Sequence, residues 1–246
     1  AATALRAIKP VWMVAETQDQ PDLLQNAFQA DYGWHFKDML YLMGGGAGTK
    51  TDFATELVRM QTSYTGGSYP MLFITNHDEN SWTGSLSTQF GKGAKTLSVL
   101  TFTVPGVPLI YNGQEVDSNK QLKFFDKDQI DWLLTSTRSK TATAFYAKLI
   151  SLRLKNSSLW AGNAGGTITR AKNDGTRILS FYRTKGTNRV YVTMNISPMP
   201  ATANVEWGAD SKYYYRYSDG KRMKMVPRQN VSLKAWQFEI YSTVKP

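Results

Sequence analysis

Apolar residues along this chain follow two different patterns, and the change falls near residue 155. Before it they come as short continuous runs. Pro10-Val11-Trp12-Met13-Val14-Ala15 ends at Glu16, Tyr69 to Thr75 ends at Asn76-His77-Asp78, and Val107 to Tyr111 ends at Asn112-Gly113-Gln114-Glu115. Between them lie stretches with helical spacing: Trp34 to Leu42, Asp52 to Tyr64, Gly93 to Val104 before Pro105-Gly106, and Lys140 to Lys155. Apolar strands alternating with helices predict βα units on a parallel sheet, with a further strand near Ala30 to Phe36. After Asn156 the pattern turns to short alternating segments rich in β-branched and aromatic residues, as in Arg177 to Arg183, Arg189 to Ile196 and Trp236 to Tyr241. Turn signals at Asn173-Asp174-Gly175, Lys185-Gly186 and Asp219-Gly220 punctuate them, which predicts an antiparallel β region. The expected organisation is therefore 1–155 as the α/β portion and 156–246 as an antiparallel β-sandwich domain.

Charge supports the division. Residues 1–155 carry 15 basic and 14 acidic side chains, whereas 156–246 carry 14 and 5, so nearly all of the net +10 lies in the second part. A hydrophobic content of 41% suits a well-formed core, and no apolar run is long enough to span a membrane. With no cysteine in the chain, disulfides, a thiolate nucleophile and a Cys-ligated zinc site are all excluded. The two histidines, His35 and His77, form no H-E-x-x-H pair. A (β/α)8 barrel needs about 250 residues by itself. The first part is therefore expected to be the last strands of such a barrel, about the fifth to the eighth. Ala4 to Ile8 reads as the end of a helix, with an expected start before Ala1.

The chemistry sits after the apolar runs, where βα folds place it. Glu16 and Asp78 each follow such a run, and two carboxylates facing one site are the usual equipment for glycoside hydrolysis, one as acid and the other as nucleophile or base. His77 adds a hydrogen-bond donor for a sugar hydroxyl. Trp82, four residues beyond Asp78, offers a flat apolar face for the C–H face of a pyranose, and Trp34 does so more weakly. Trp12, Trp160 and Trp236 are expected in the core.

Motifs sharpen this. Phe73-Ile74-Thr75-Asn76-His77-Asp78 resembles the F-x-x-N-H-D segment of the α-amylase family of retaining glycoside hydrolases, and Pro105 to Glu115 resembles that family's P-G-x-P-x-x-Y-x-G-x-E segment at the eighth strand. Trp12 to Glu16 is similar to the strand that ends in the family's acid/base glutamate. The resemblance implies Glu16 as general acid/base and Asp78 as transition-state stabiliser, not nucleophile. It places His77 in the −1 subsite and puts Asn76 among the substrate-side residues, chiefly shaping the turn; Tyr111 and Glu115 would support the eighth strand. It implies an α-glucan substrate such as starch or maltooligosaccharides, and a secreted or periplasmic setting, the cytoplasm remaining open. No cofactor follows from it except a structural calcium ion, for which the chain has no D-x-D-x-D-G loop. The family's nucleophile segment, of G-F-R-x-D type, and its D-x-x-x-N-H segment do not occur in these residues, so an N-terminal barrel portion, in the same or another chain, is the expected partner, and this chain by itself is expected to be inactive.

Other signals point to structure. Met43 to Thr51 departs from a phosphate loop because Thr49 separates Gly48 from Lys50, and it reads as a flexible loop. Ser68 reads as a turn residue. Lys221-Arg222-Met223-Lys224 reads as the solvated face of a hairpin, and the tyrosines of 212–217 as half core and half surface, so no nucleic-acid site is expected. Three alternatives remain in view: a transglycosylating or isomerising relative, a non-catalytic carbohydrate-binding protein of the same fold, and a polyanion-binding β domain.

Overall fold

The computed structural model describes residues 1–208 and 212–246. Four short strands, β1 (Val14–Ala15), β2 (Ala30–Tyr32), β3 (Tyr69–Leu72) and β4 (Val107–Pro108), pair in parallel and in chain order. Around them run α1 (Ala2–Ile8), α2 (Pro21–Asn26), α3 (Trp34–Gly44), α4 (Lys50–Ser63), α5 (Leu86–Phe90), α6 (Ala94–Thr103) and α7 (Thr137–Lys155). Parallel strands that neighbour one another in sequence order, with helices between them, form part of a barrel wall. The strands are shorter than the apolar runs predict: only Val14–Ala15, Tyr69–Leu72 and Val107–Pro108 of the three runs enter the ladder. The run near Ala30 yields only three strand residues, and Trp34 already belongs to α3.

Two local features fix this half. Gly106 sits at φ +142°, and a Cβ there would lie 2.6 Å from Leu72, so only glycine lets the chain turn from α6 into β4. The Gly-rich segment before α4 ends in a capping box: the Thr49 hydroxyl accepts from the Thr51 and Asp52 amides, while Asp52 accepts from the Thr49 amide. Lys50, the lysine of the would-be phosphate loop, is spent on the carbonyls of Asn173 and Gly175 at 3.1 and 2.6 Å.

The remaining strands are β5 (Thr167–Arg170), β6 (Lys172–Asn173), β7 (Ile178–Lys185), β8 (Asn188–Asn195), β9 (Ala201–Glu206), β10 (Tyr213–Arg216), β11 (Arg222–Lys224), β12 (Arg228–Leu233) and β13 (Phe238–Ser242). They make a six-stranded antiparallel sheet, β11-β10-β13-β8-β7-β5, and a three-stranded one, β12-β9-β6. The central strands of the larger sheet are buried on both faces. Leu179, Phe181, Val192 and Ile240 join the helices and β3 in one core, which also holds Phe53, Leu72 and Leu149. Ile178, Tyr191 and Tyr241 point the other way, into a second core with Val205, Trp207 and Val231 of the smaller sheet.

The change in composition near residue 155 is thus not a gap in packing. Arg153 and Arg183 reinforce the seam. Arg183 is buried and Arg153 half-buried, and both donate to carbonyls at the C-terminal end of α6, Arg153 to Phe102 and Arg183 to Thr103, each at 3.2 Å. There the helix dipole favours a cation. Burial lowers both guanidiniums, Arg153 to about 10 and Arg183 to about 9.

Two tryptophans expected in the core lie at the surface. Trp12 is 51% exposed, since the chain reaches β1 from outside the ladder, and its Nε1 donates to the Tyr69 hydroxyl at 3.0 Å. Trp160 is 42% exposed, its indole N–H turned back onto the carbonyls that end α7. Trp236 does pack on the main core, over Gly93. Tyr214 and Tyr217 are buried and Tyr213 is exposed, the division expected of that strand.

Candidate active site

Adjacent parallel strands end side by side, so residues far apart in sequence meet just beyond them. Glu16 follows β1, Tyr32 ends β2, and His77 and Asp78 lie six residues or fewer beyond β3. His77 Nε2 lies 3.2 Å from Glu16 Oε1 and 3.6 Å from Asp78 Oδ1. One atom from each of the three side chains falls within 4.8 Å of the others. The imidazole therefore sits between the two carboxylates and faces solvent with them. Trp34 and Trp82 flank the same end of the sheet from α3 and from the turn after Asp78.

The turn is fixed from within. Asn76 is fully buried, its Oδ1 accepting from the Glu79 amide at 2.8 Å and its carbonyl from the Asn80 amide at 2.9 Å. It therefore shapes the backbone that carries His77 and Asp78, and its Nδ2 has no hydrogen-bond partner. Glu79 opens a single π-type turn, Glu79–Thr83, and pairs with buried Lys37 of α3 at 2.5 Å. The loop after Glu16 is held by Asp19, which contacts His35 Nε2 at 2.6 Å and the Arg59 guanidinium at 3.1 Å. Gln114 secures the chain beyond β4, accepting from the Tyr111 amide at 3.2 Å and donating to the Tyr146 hydroxyl at 2.8 Å. That supporting role was expected of Tyr111 and Glu115. Glu115 lies in the same short turn, with one carboxylate oxygen buried and without a hydrogen bond.

Tyr32 is a site residue that the sequence does not announce. Burial raises its hydroxyl above the usual phenol value, and the carboxylates of Glu16 and Asp78 push it further the same way. It is thus a neutral hydrogen-bonding group close to both. Its ring stacks on Trp34 at 5.9 Å and meets Phe73 edge-on. As for a cation, Glu16, His77 and Asp78 are a grouping of three metal-capable side chains among the described residues. Two carboxylates and a ring nitrogen do not supply the six to eight oxygens, in round terms about seven, that calcium takes.

Comparison with known proteins places the chain in a family. The sequence profile described as "Alpha amylase, catalytic domain" matches residues 23–147, just over half of the chain, including His77, Asp78 and the Pro105–Glu115 segment. The chain belongs to the alpha-amylase catalytic-domain family. The alpha-amylase MalA of Haloarcula japonica is 26% identical over 191 residues, which cover 74% of this chain and 27% of that protein. The noncanonic maltogenic alpha-amylase AmyB from Thermotoga neapolitana superposes with a TM-score of 0.79 at 19% identity, covering 98% of this chain and 56% of that one. A cyclomaltodextrinase superposes at 0.77 with 18% identity, over 94% and 40%. The alpha-amylase-family fold accordingly extends through the antiparallel sheets. The chain spans just over half the length of AmyB and about a quarter of the curated relative. Among the described residues, no helix is long and apolar enough to cross a membrane.

Proposed function

We propose that this chain carries the acid/base half of a retaining glycosidase site that acts on α-glucans. The observation behind this reading is the meeting of Glu16, His77 and Asp78 within 4.8 Å at the ends of neighbouring parallel strands. In it, Glu16 protonates the glycosidic oxygen as the bond to the leaving group breaks, then takes a proton from the attacking water. Its carboxyl is well exposed, as proton exchange with solvent requires. Asp78 binds ring hydroxyls and stabilises positive charge on the sugar as it approaches the oxocarbenium-like state. His77, between them, donates to a sugar hydroxyl. Trp82 offers a stacking face, and Asn76 acts through the turn. The four strands correspond to about the fifth to the eighth of the barrel. The attacking carboxylate belongs to the earlier strands, supplied by the same or another chain, and residues 1–246 alone are inactive.

The test is Glu16→Gln in a protein with the barrel complete. Turnover should fall about a hundred- to ten-thousand-fold, the usual worth of a positioned acid/base. Binding of maltooligosaccharides should persist, because the amide keeps the shape and loses only the proton. Turnover close to the native value would sink the assignment. Product analysis separates hydrolysis from transglycosylation: shorter sugars against longer or rearranged ones.

A further inference from the structure

A cleft of about 560 Å³, sharing no residue with the carboxylate site, opens where the start of α6 meets the turn between β12 and β13. Lys92 and Lys95 reach it from the α6 side and Lys234 from the turn, and no residue lining it is acidic. All three lysines are exposed, and among the described residues their ammonium groups have neither a carboxylate nor a carbonyl partner. Other cations of this chain are neutralised locally, as Lys120 is by Asp128 and Arg216 by Asp219. Three like charges gathered at one concave surface repel each other and attract an anion.

The wall between the lysines is aromatic and held in place. Trp236 and Phe238 both line the cleft. Trp236 adopts φ +54°, a left-handed conformation that a bulky side chain takes only where its surroundings enforce it. Its amide donates to the Ser197 carbonyl at 3.1 Å, and its carbonyl accepts from the buried Thr96 hydroxyl of α6. The indole lies over Gly93, where a Cβ would stand 3.1 Å from the ring. Lys234 is pinned as well: its amide donates to Gln237 Oε1 at 2.9 Å, and its carbonyl accepts from buried Asn195 at 3.0 Å. The ring and the backbone of Lys234 thus keep their places before any ligand arrives, which lowers the ordering cost of binding.

We propose that this cleft binds a nucleoside polyphosphate, its phosphates on the three lysines and its base against Trp236. A neutral sugar chain leaves the ammonium groups without a counter-charge, and a bare phosphate leaves Trp236 and Phe238 uncovered. A nucleotide meets both demands, because phosphates supply the negative charge and every base has a flat face that stacks on an aromatic side chain. The volume lies within the roughly 300–1,000 Å³ usual for small-molecule sites and is more than an inorganic phosphate fills. Lys92 and Lys95 belong to the α/β part and Lys234 and Trp236 to the antiparallel part, so the ligand bridges the seam between them. Binding therefore stabilises the folded chain as occupancy rises.

The experiment is a calorimetric titration of the 246-residue chain with magnesium-free ATP, inorganic tripolyphosphate and adenosine. ATP should bind about fivefold or more tightly than tripolyphosphate, the worth of one stacked base. Its affinity should fall as salt is raised, and it should lift the thermal unfolding midpoint. Adenosine, without the charge, should bind far more weakly than either. The double variant Lys92→Glu/Lys234→Glu, at two exposed positions that leave the fold intact, should weaken ATP by roughly tenfold or more. Trp236→Leu should bring ATP down to the level of tripolyphosphate. Lys221→Glu/Lys224→Glu, on the separate basic hairpin at β11, should leave ATP affinity within about twofold of native. Native-like ATP affinity in Lys92→Glu/Lys234→Glu overturns the proposal, as does equal binding of ATP and tripolyphosphate by the native chain. A loss confined to the β11 variant overturns it too, and so does a chain that binds no ATP. A twelve-nucleotide single-stranded DNA that binds a hundredfold or so more tightly than ATP, and loses this in the cleft variant, assigns the cleft to a nucleic-acid strand instead. None of these results touches the reading of Glu16 and Asp78.

Discussion

The two strand systems are built on different terms. In the parallel sheet β1 pairs with β2 at two positions and β3 with β4 at two, so the ladders contribute few hydrogen bonds. In the antiparallel sheet β7 and β8 pair at eight positions, and both faces of that hairpin are buried. The first half therefore depends on packing against helices and on the core it shares with Phe181 and Val192, while the second is largely held by its own ladders. The chemistry is divided the same way. Short strands that end abruptly leave Glu16, Tyr32, His77 and Asp78 at chain turns, where side chains can converge. The long strands β7 and β8 spend their side chains on packing, buried Arg183 included, and the basic residues of the short edge strand β11 lie at the surface. The half with the weaker ladders carries the site, and the other half braces it.

The strongest way to break this comparison is to cut the shared core. Phe181 is fully buried on β7, 5.5 Å from the ring of Phe53 in α4. Phe181→Ala should cost about 3–5 kcal/mol. If the halves are one cooperative unit, amides of α4 and of β8 should lose protection against hydrogen exchange together, in a single denaturant transition. Two separated transitions, with α4 unaffected, would show that the seam bears no load. A smaller effect is expected inside the first half alone. Thr49→Ala removes the N-cap of α4 and should lower stability by about 1 kcal/mol. Thr49→Ser, which keeps the accepting hydroxyl, should recover most of it.

The same contrast explains what the sequence discloses. Apolar runs and alternating runs are legible, and so is the convergence of Glu16 and Asp78 at one end of the parallel sheet, because each is the first acid after such a run. The division near 155 is a true change of pattern, but it hides a continuous core, since one β7 strand sends Leu179 and Phe181 to the helices and Ile178 to the smaller sheet. Tyr32 was not legible. It belongs to the site only because β2 pairs between β1 and β3, and strand order is not written in local periodicity. Trp12 misled for a related reason: an aromatic in an apolar run reads as core, yet the ladder begins only at Val14. Phe124 and Phe125 lie in a stretch without helix or strand period, and their place beside His77 is set by the amide of Asn80, forty-two positions from its partner Leu122. Contacts of that separation leave no trace in spacing.

The finest test concerns that loop alone. Asp128 pairs with Lys120 and also accepts from the Lys123 amide at 3.1 Å. The Lys120 ammonium, and secondarily the Lys123 amide, hold its carboxyl below the usual carboxylate range. The sign follows from that direction. The folded chain keeps Asp128 ionised at acidities where the unfolded chain has protonated it. Its contribution is therefore complete above the ordinary Asp value of about 3.9 and disappears as pH falls through the lower, folded value. Amides 119–123 should then exchange faster below about pH 4 than at neutral pH, after correction for intrinsic rates. The β7–β8 amides, whose ladder involves no carboxylate, should stay protected over the same step. Asp128→Asn should give fast loop exchange already at neutral pH and lose the acid step. If the native loop and Asp128→Asn follow the same pH course, the hydrogen bonds of Asn80, Ser81 and Ser85 to the loop hold Phe124 against Trp82. The rings of Phe124 and Trp82 are then held together from the Asp78 side, and their contact owes nothing to the loop's own ion pair.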